Sequence, residues 1–187
     1  MEPSTSPLDS EARRELLALA RTTLEEYLTT GRKPAYEAVH PALCMPSGAF
    51  VSLHNGGELR GCIGLLCFEG QLYRTVQRCV ISSAMEDPRF RPVSMAEVPG
   101  LTIEISVLTP PQRIRDIGLI EVGRHGLIVS LGGARGLLLP QVADRNVWDR
   151  ETFLAQTCRK AGLPAHAWRQ PQAVIEIFEA QVFSDRD

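Results

Sequence analysis

Leu59-Arg60-Gly61-Cys62-Ile63-Gly64 follows the turn residues Asn55-Gly56-Gly57 and reads as the return arm of a β-hairpin over residues 49–65. Strand alternation puts Leu59, Gly61 and Ile63 on one face and Arg60, Cys62 and Gly64 on the other. A guanidinium two residues from a thiol on the same face lies within about 7 Å of it and favours the thiolate. Gly61 and Gly64 remove bulk beside the sulfur, so another backbone or a ligand can approach closely. An ordinary buried strand has no need of that combination.

The elements around the hairpin mix helix and strand without a regular βαβ repeat, which predicts an α+β fold. Upstream, Ser6-Pro7-Leu8-Asp9 offers an N-cap, a proline at the first helical position and an acid in the first turn. Leu16, Leu17, Ala20, Leu24, Tyr27 and Leu28 keep helical spacing until Gly31. Residues 1–8 are expected to form a flexible arm, and the proline-bearing stretch 32–48 a loop. Downstream, a second helix is expected from Gln71 to Met85, ending at Asp87-Pro88. Ser94-Met95-Ala96-Glu97 reads as the cap of one short helical turn. Residues 101–109 form the clearest strand, with Leu101, Ile103, Ile105 and Val107 inward and Thr102, Glu104 and Ser106 opposite. After Pro110-Pro111 a smaller subdomain is expected near 111–147, containing a hairpin that closes at Gly132-Gly133. A third helix from Asp149 to Gly162 and a last strand from Ala173 to Phe183 complete a single domain over 9–187.

Composition narrows the function classes. The chain has 187 residues, 44% hydrophobic and 22% charged, enough for a sizeable core. A net charge of −2 gives no positive field to hold nucleic acid, and aromatics at 6% offer no stacking platform. No apolar stretch approaches the roughly 20 residues of a membrane span, and the polar, acidic start does not read as a signal peptide. Five cysteines (44, 62, 67, 79 and 158) without paired zinc spacing suggest reduced thiols and a cytoplasmic protein. Cys79 and Cys158 fall on the inner faces of helices. The glycine-rich run Gly132–Gly136 lacks the Gly-Lys-Ser/Thr ending of a phosphate loop. No metal or other cofactor is implied.

Cys62 has two readings, a small hydrophobe filling a strand position or a reactive, ligand-facing thiol helped by Arg60. No histidine stands at a spacing that would make it a base for this thiol. Glu104 and Ser106 lie either on a solvated sheet face or along a cleft, where Glu104 would pair with Arg60 or act as acid or base. Asp87 and Arg89 follow a helix end and either close it or project into the same cleft. Gln141, just after Pro140, fixes backbone or contacts a ligand.

Several ordered stretches together resemble the AMMECR domain, also called the AmmeMemoRadiSam system protein A family. They are Gly48–Leu53 with the six-residue motif, Ala84-Met85-Glu86-Asp87-Pro88-Arg89-Phe90, and Ile103–Pro110. Gly136–Val142 and Thr157–Leu163 extend the likeness over nearly the whole chain. The resemblance implies a larger mixed sheet-and-helix subdomain and a smaller one enclosing a cleft. It also implies a pathway shared with a Memo-type protein and a radical SAM protein. Two functions follow as expectations. One is a binding or accessory module in that pathway. The other is an enzyme that modifies a small molecule, or RNA or a nucleotide, with Cys62 as nucleophile, Arg60 as electrostatic helper and Glu104 as acid or base. The missing base favours the first.

Overall fold

The computed structural model describes residues 7–66 and 69–186. In chain order the elements are helix α1 (Ser10–Thr30), strands β1 (Ala49–Asn55) and β2 (Glu58–Leu65), helix α2 (Leu72–Met85), and strands β3 (Leu101–Leu108), β4 (Gln112–Ile114), β5 (His125–Leu131) and β6 (Ala134–Leu138). Helices α3 (Pro140–Arg145) and α4 (Arg150–Lys160) and strand β7 (Val174–Ser184) follow. The fold is α+β, as expected. The chain divides into two compact units, Met1–Leu108 with Gln181–Asp187, and Thr109–Ala180.

In the first unit, α1 begins one turn later than a cap at Ser6 requires. Asp9 is the N-cap itself, its Oδ1 accepting from Ala12 N at 2.9 Å. Of the arm expected over 1–8, residues 1–6 lie outside the described residues. Leu8 is buried and exchanges two hydrogen bonds with the Gln181 side chain, at 2.7 and 2.9 Å. Gly31 ends α1 in the left-handed conformation (φ 71°), its N–H returning to Tyr27 O. The sheet order is β2-β1-β3, with both pairings antiparallel. Beyond β7, Asp185 N donates to Ile103 O and its Oδ1 accepts from Ile103 N, so the chain end closes over β3. Asp185 also pairs with Arg21 of α1.

Ala49, Val51 and Leu53 of β1 and Ile103 and Ile105 of β3 are fully buried in one core with α1 and α2. Cys79 lies in that core, as its helical position suggested. The helix α2 comes unusually close to β2. A Cβ on Gly61 would stand 2.1 Å from the Ser83 carbonyl oxygen, so only glycine fits there. Ser83 Oγ donates to Val51 O at 2.7 Å and accepts from Ile63 N at 2.8 Å, stitching the helix to both strands of the hairpin. The opposite face of this sheet carries the polar residues of the candidate site.

The second unit repeats the device with different parts. β5 pairs antiparallel with β6 and β7, and β4 with β7. A Cβ on Gly136 of β6 would meet Ala161 N at 2.4 Å and Thr157 O at 2.6 Å, which lets α4 lie directly on the strand. Phe153, Leu154 and Cys158 of α4 are buried with Leu127 and Val129 of β5. Neither β4 nor α3 was expected. They span three and six residues, too short to show a period in the sequence.

α3 ends in a Schellman motif, in which Trp148 N donates to Ala143 O and Val147 N to Asp144 O, both at 3.0 Å. Val147 occupies the left-handed position (φ 53°) that usually belongs to glycine, and it is 90% exposed. A β-branched residue there costs about 1–2 kcal/mol and gains no burial in return. Val147→Gly is therefore expected to stabilise the protein by about 1 kcal/mol, net of the entropy glycine adds to the unfolded chain. Thermal unfolding of the two proteins checks this.

Candidate functional site

The register of the hairpin decides what surrounds Cys62. Ser52 lies opposite Cys62 and Leu53 opposite Gly61, but His54 pairs with Leu59. Arg60 is thus the extra residue of a β-bulge, which re-aims its side chain. Its guanidinium grips Glu97, with Nε–Oε1 at 2.8 Å and Nη2–Oε2 at 3.4 Å. Nη2 also donates to Pro92 O, and the group stands 6.0 Å from the centre of the Phe90 ring. Arg60 therefore pairs with neither Cys62 nor Glu104, contrary to the reading from strand alternation. The pair holds the Glu97 carboxyl down at about 2, with Ser94 N–H adding to the effect.

Cys62 is half-buried, and its Sγ accepts a hydrogen bond from Ser52 Oγ at 3.2 Å. Burial pushes the thiol above its ordinary range, outweighing the Ser52 hydrogen bond and the pull of the Arg89 charge. The Asp87 and Glu104 carboxylates push it further in the same direction. The thiolate expected beside Arg60 is therefore replaced by a neutral thiol at neutral pH.

Asp87 and Arg89 clasp the free edge of β2 at this residue. Cys62 N donates to Asp87 Oδ2 at 2.9 Å, and Arg89 Nη2 donates to Cys62 O at 3.4 Å. The two side chains are joined through Arg89 Nη2 to Asp87 Oδ2 at 2.7 Å and Arg89 Nε to Asp87 Oδ1 at 3.0 Å. Asp87 is only 4% exposed, and the guanidinium beside it holds its carboxyl far below the usual carboxylate range. The fork answers the N–H and C=O that a neighbouring strand would otherwise meet.

Three strands bring the remaining groups into rows. Ser52 lies between Cys62 on β2 and Glu104 on β3, so thiol, hydroxyl and carboxylate form one row across the sheet. In the next row Phe50 lies between Gly64 and Ser106. The Phe50 ring fills the space over Gly64, where a Cβ would stand 2.2 Å from Cδ1. The room expected beside the sulfur at Gly61 and Gly64 is thus taken by the Ser83 backbone and by this ring. On the other side of the Ser52 row, His54 lies opposite Thr102, and its Nε2 is buried without a hydrogen-bond partner among the described residues. Ser106 is 2% exposed, so this face is not simply solvated. Glu104 is half-buried and has no hydrogen-bond or ion-pair partner among the described residues.

Of the expected site residues, Cys62, Glu104, Gly64 and Ser106 share this face, and Gly61 lies on the other side of β2. Asp87 and Arg89 border it at the edge, and Arg60 is drawn off to Glu97. Gln141 belongs to the second unit, at the start of α3, where its Oε1 is buried without a partner among the described residues. Glu97 and His54 were not singled out as site residues. Glu97 was visible only as the far end of a capping pattern, whereas His54, two residues from Ser52 on the same strand, could have been placed on its face by simple alternation. Among the described residues no group of three or more His, Cys, Asp or Glu side chains is placed to hold a metal ion. No helix among them is long and apolar enough to cross a membrane.

The AMMECR1 family model matches residues 17–183, a span that contains the whole row and its border. The chain belongs to the AMMECR1 family. Protein PF1979 of Pyrococcus furiosus is 42% identical over 181 residues, covering 91% of this chain and 86% of that AMMECR1 relative. A Methanothermobacter thermautotrophicus protein is 40% identical over 187 residues, 96% of this chain and 97% of its own. Among solved structures, that of the uncharacterized protein PH0010 from Pyrococcus horikoshii superposes with a TM-score of 0.86 at 42% identity. It covers 90% of this chain and 89% of that one, so the α+β arrangement is shared with that protein.

Proposed function

We propose that the Cys62–Ser52–Glu104 face is a binding surface, and that the protein serves as a binding or accessory module beside a Memo-type and a radical SAM protein. The observation that carries this is the state of the thiol. Cys62 is held neutral by burial, is bonded to a hydroxyl, and has no base hydrogen-bonded to it. Both nearby guanidiniums are committed to carboxylates, Arg60 to Glu97 and Arg89 to Asp87. A nucleophilic cysteine needs the opposite arrangement, a depressed pKa or a partnered base. A hydroxyl, a neutral thiol and a carboxylate held on one sheet face are what recognition requires.

Alkylation by iodoacetamide at pH 7, followed by peptide mass mapping, tests the reading. Cys62 is expected to react several-fold more slowly than a free cysteine peptide, whose thiol titrates near about 8.5. Reaction faster than that peptide would transfer the case to a thiol enzyme. The pathway assignment has its own check, co-purification of the pure protein with the Memo-type and radical SAM proteins of the same organism. Retention of neither, with and without their cofactors, would remove it.

A further inference from the structure

We infer that the ligand of this face carries a protonated aliphatic amine, bound by the Glu104 carboxylate. The inference rests on the binding reading above and adds the chemistry of what is bound. Glu104 projects from the middle strand-crossing row, half-buried and without hydrogen-bond or ion-pair partner among the described residues. Partly desolvating a carboxylate without a partner costs free energy that a cation restores. The protein's own cations do not supply it. Arg60 is turned to Glu97 by the bulge, and Arg89 is locked to Asp87 at the sheet edge.

The groups around Glu104 suit an ammonium and disfavour an anion. Ser52 lies directly opposite on β1, and Thr102 lies two residues along β3 on the same face. Both hydroxyls can accept from an N–H donor. Phe50, also on this face, lies one row away over Gly64 and presents an aromatic ring to the alkyl chain or to the charge. His54 Nε2, one row away on the other side, is a further buried atom without a partner among the described residues. Glu104 acts electrostatically on the Cys62 thiol in the same row, so its charge reaches across this face. Ser52 is only 9% and Ser106 2% exposed, so Glu104 stands among groups largely withdrawn from water. A phosphate-bearing ligand would meet this carboxylate, and the Arg60 and Arg89 guanidiniums are already held by Glu97 and Asp87.

The test is a titration of the full chain followed through backbone amide NMR shifts, using n-butylammonium, 1-butanol and butyrate at matched ionic strength. Butylammonium is expected to give saturable shifts at Ser52, Cys62 and Glu104 below about 50 mM, the range of a single desolvated ion contact. Butanol should bind at least about tenfold more weakly, and butyrate should not saturate. Glu104→Gln should lose the response to butylammonium, while Glu25→Gln, on the exposed surface of α1, should keep it. Equal response to butanol, retention of the response in Glu104→Gln, or no saturable shift with butylammonium would each overturn the inference. Because these comparisons include the unaltered protein, they do not depend on the variant folding. Saturable shifts in the same row from butyrate or a nucleotide would leave the binding face standing and remove only the amine. Rapid alkylation of Cys62 would instead remove the face's role as a binding surface.

Discussion

Replacing Gly61 with alanine is expected to destabilise the protein by about 3 kcal/mol or more, the upper end of what overpacking costs. The added methyl would sit 2.1 Å from the Ser83 carbonyl oxygen, and that atom is helix backbone with no rotamer to escape into. α2 would have to withdraw from β2. Withdrawal breaks the two hydrogen bonds of Ser83 Oγ, a buried one to Val51 O and a part-buried one from Ile63 N. It also drags Asp87, just beyond the helix, away from the Cys62 N–H. Gly64→Ala supplies the control. There the obstruction is the Phe50 ring, which can turn about its side-chain torsions, and the expected loss is about 1–2 kcal/mol. Urea unfolding of both variants at an unchanged m-value measures the difference. A Gly61→Ala variant within about 0.5 kcal/mol of the parent would show that the helix does not approach the strand as described.

Asp87→Ala is the second large effect, expected at about 2–4 kcal/mol, because it leaves the Cys62 N–H without an acceptor and the Arg89 guanidinium without its anion. The more informative substitution is Asp87→Asn, because its effect changes with pH. The folded-state pKa of Asp87 lies below its ordinary value of 3.8, chiefly through the Arg89 hydrogen bonds. A depressed carboxyl contributes stability that is fully present above the unfolded pKa and fades as pH falls toward the folded one. The gap between parent and Asp87→Asn should thus be constant from pH 7 to about 5 and narrow steadily from about pH 4 downward. Glu97, held at about 2 by Arg60, acts in the same sense, so the parent should lose stability steeply across this window. Denaturant midpoints at pH 7, 5 and 3 decide the matter. A gap that stays the same at pH 3 would mean the Asp87 charge does not hold the edge.

The elements were legible where local chemistry sets them. Asn55-Gly56-Gly57 marks the hairpin turn, Gly31 the end of α1, and Asp149 the cap of α4, whose Oδ1 accepts from Thr152 N. The inward set Leu101, Ile103 and Ile105 followed from simple alternation and is buried as expected. What could not be read was pairing between distant segments. The bulge at Arg60 depends on how β2 registers against β1, and a one-residue offset decides whether a guanidinium faces a thiol or a glutamate 37 residues on. The same holds for the row itself. Ser52 lies beside both Cys62 and Glu104 only because β1 runs between β2 and β3, an order that no local signal records. Glycine at 61 announced a close approach, while the identity of the approaching atoms came from the fold.

The Asp87–Arg89 fork has a consequence beyond the stability of one molecule. β2 is the outermost strand of its sheet, and an outermost strand left bare is a template on which a second copy can add its own. By meeting the peptide group of Cys62 with an ion pair, the fork interrupts the run of vacant peptides that such growth requires. Strand addition by a second copy is thereby resisted at the residue whose thiol meets Ser52 on the sheet face.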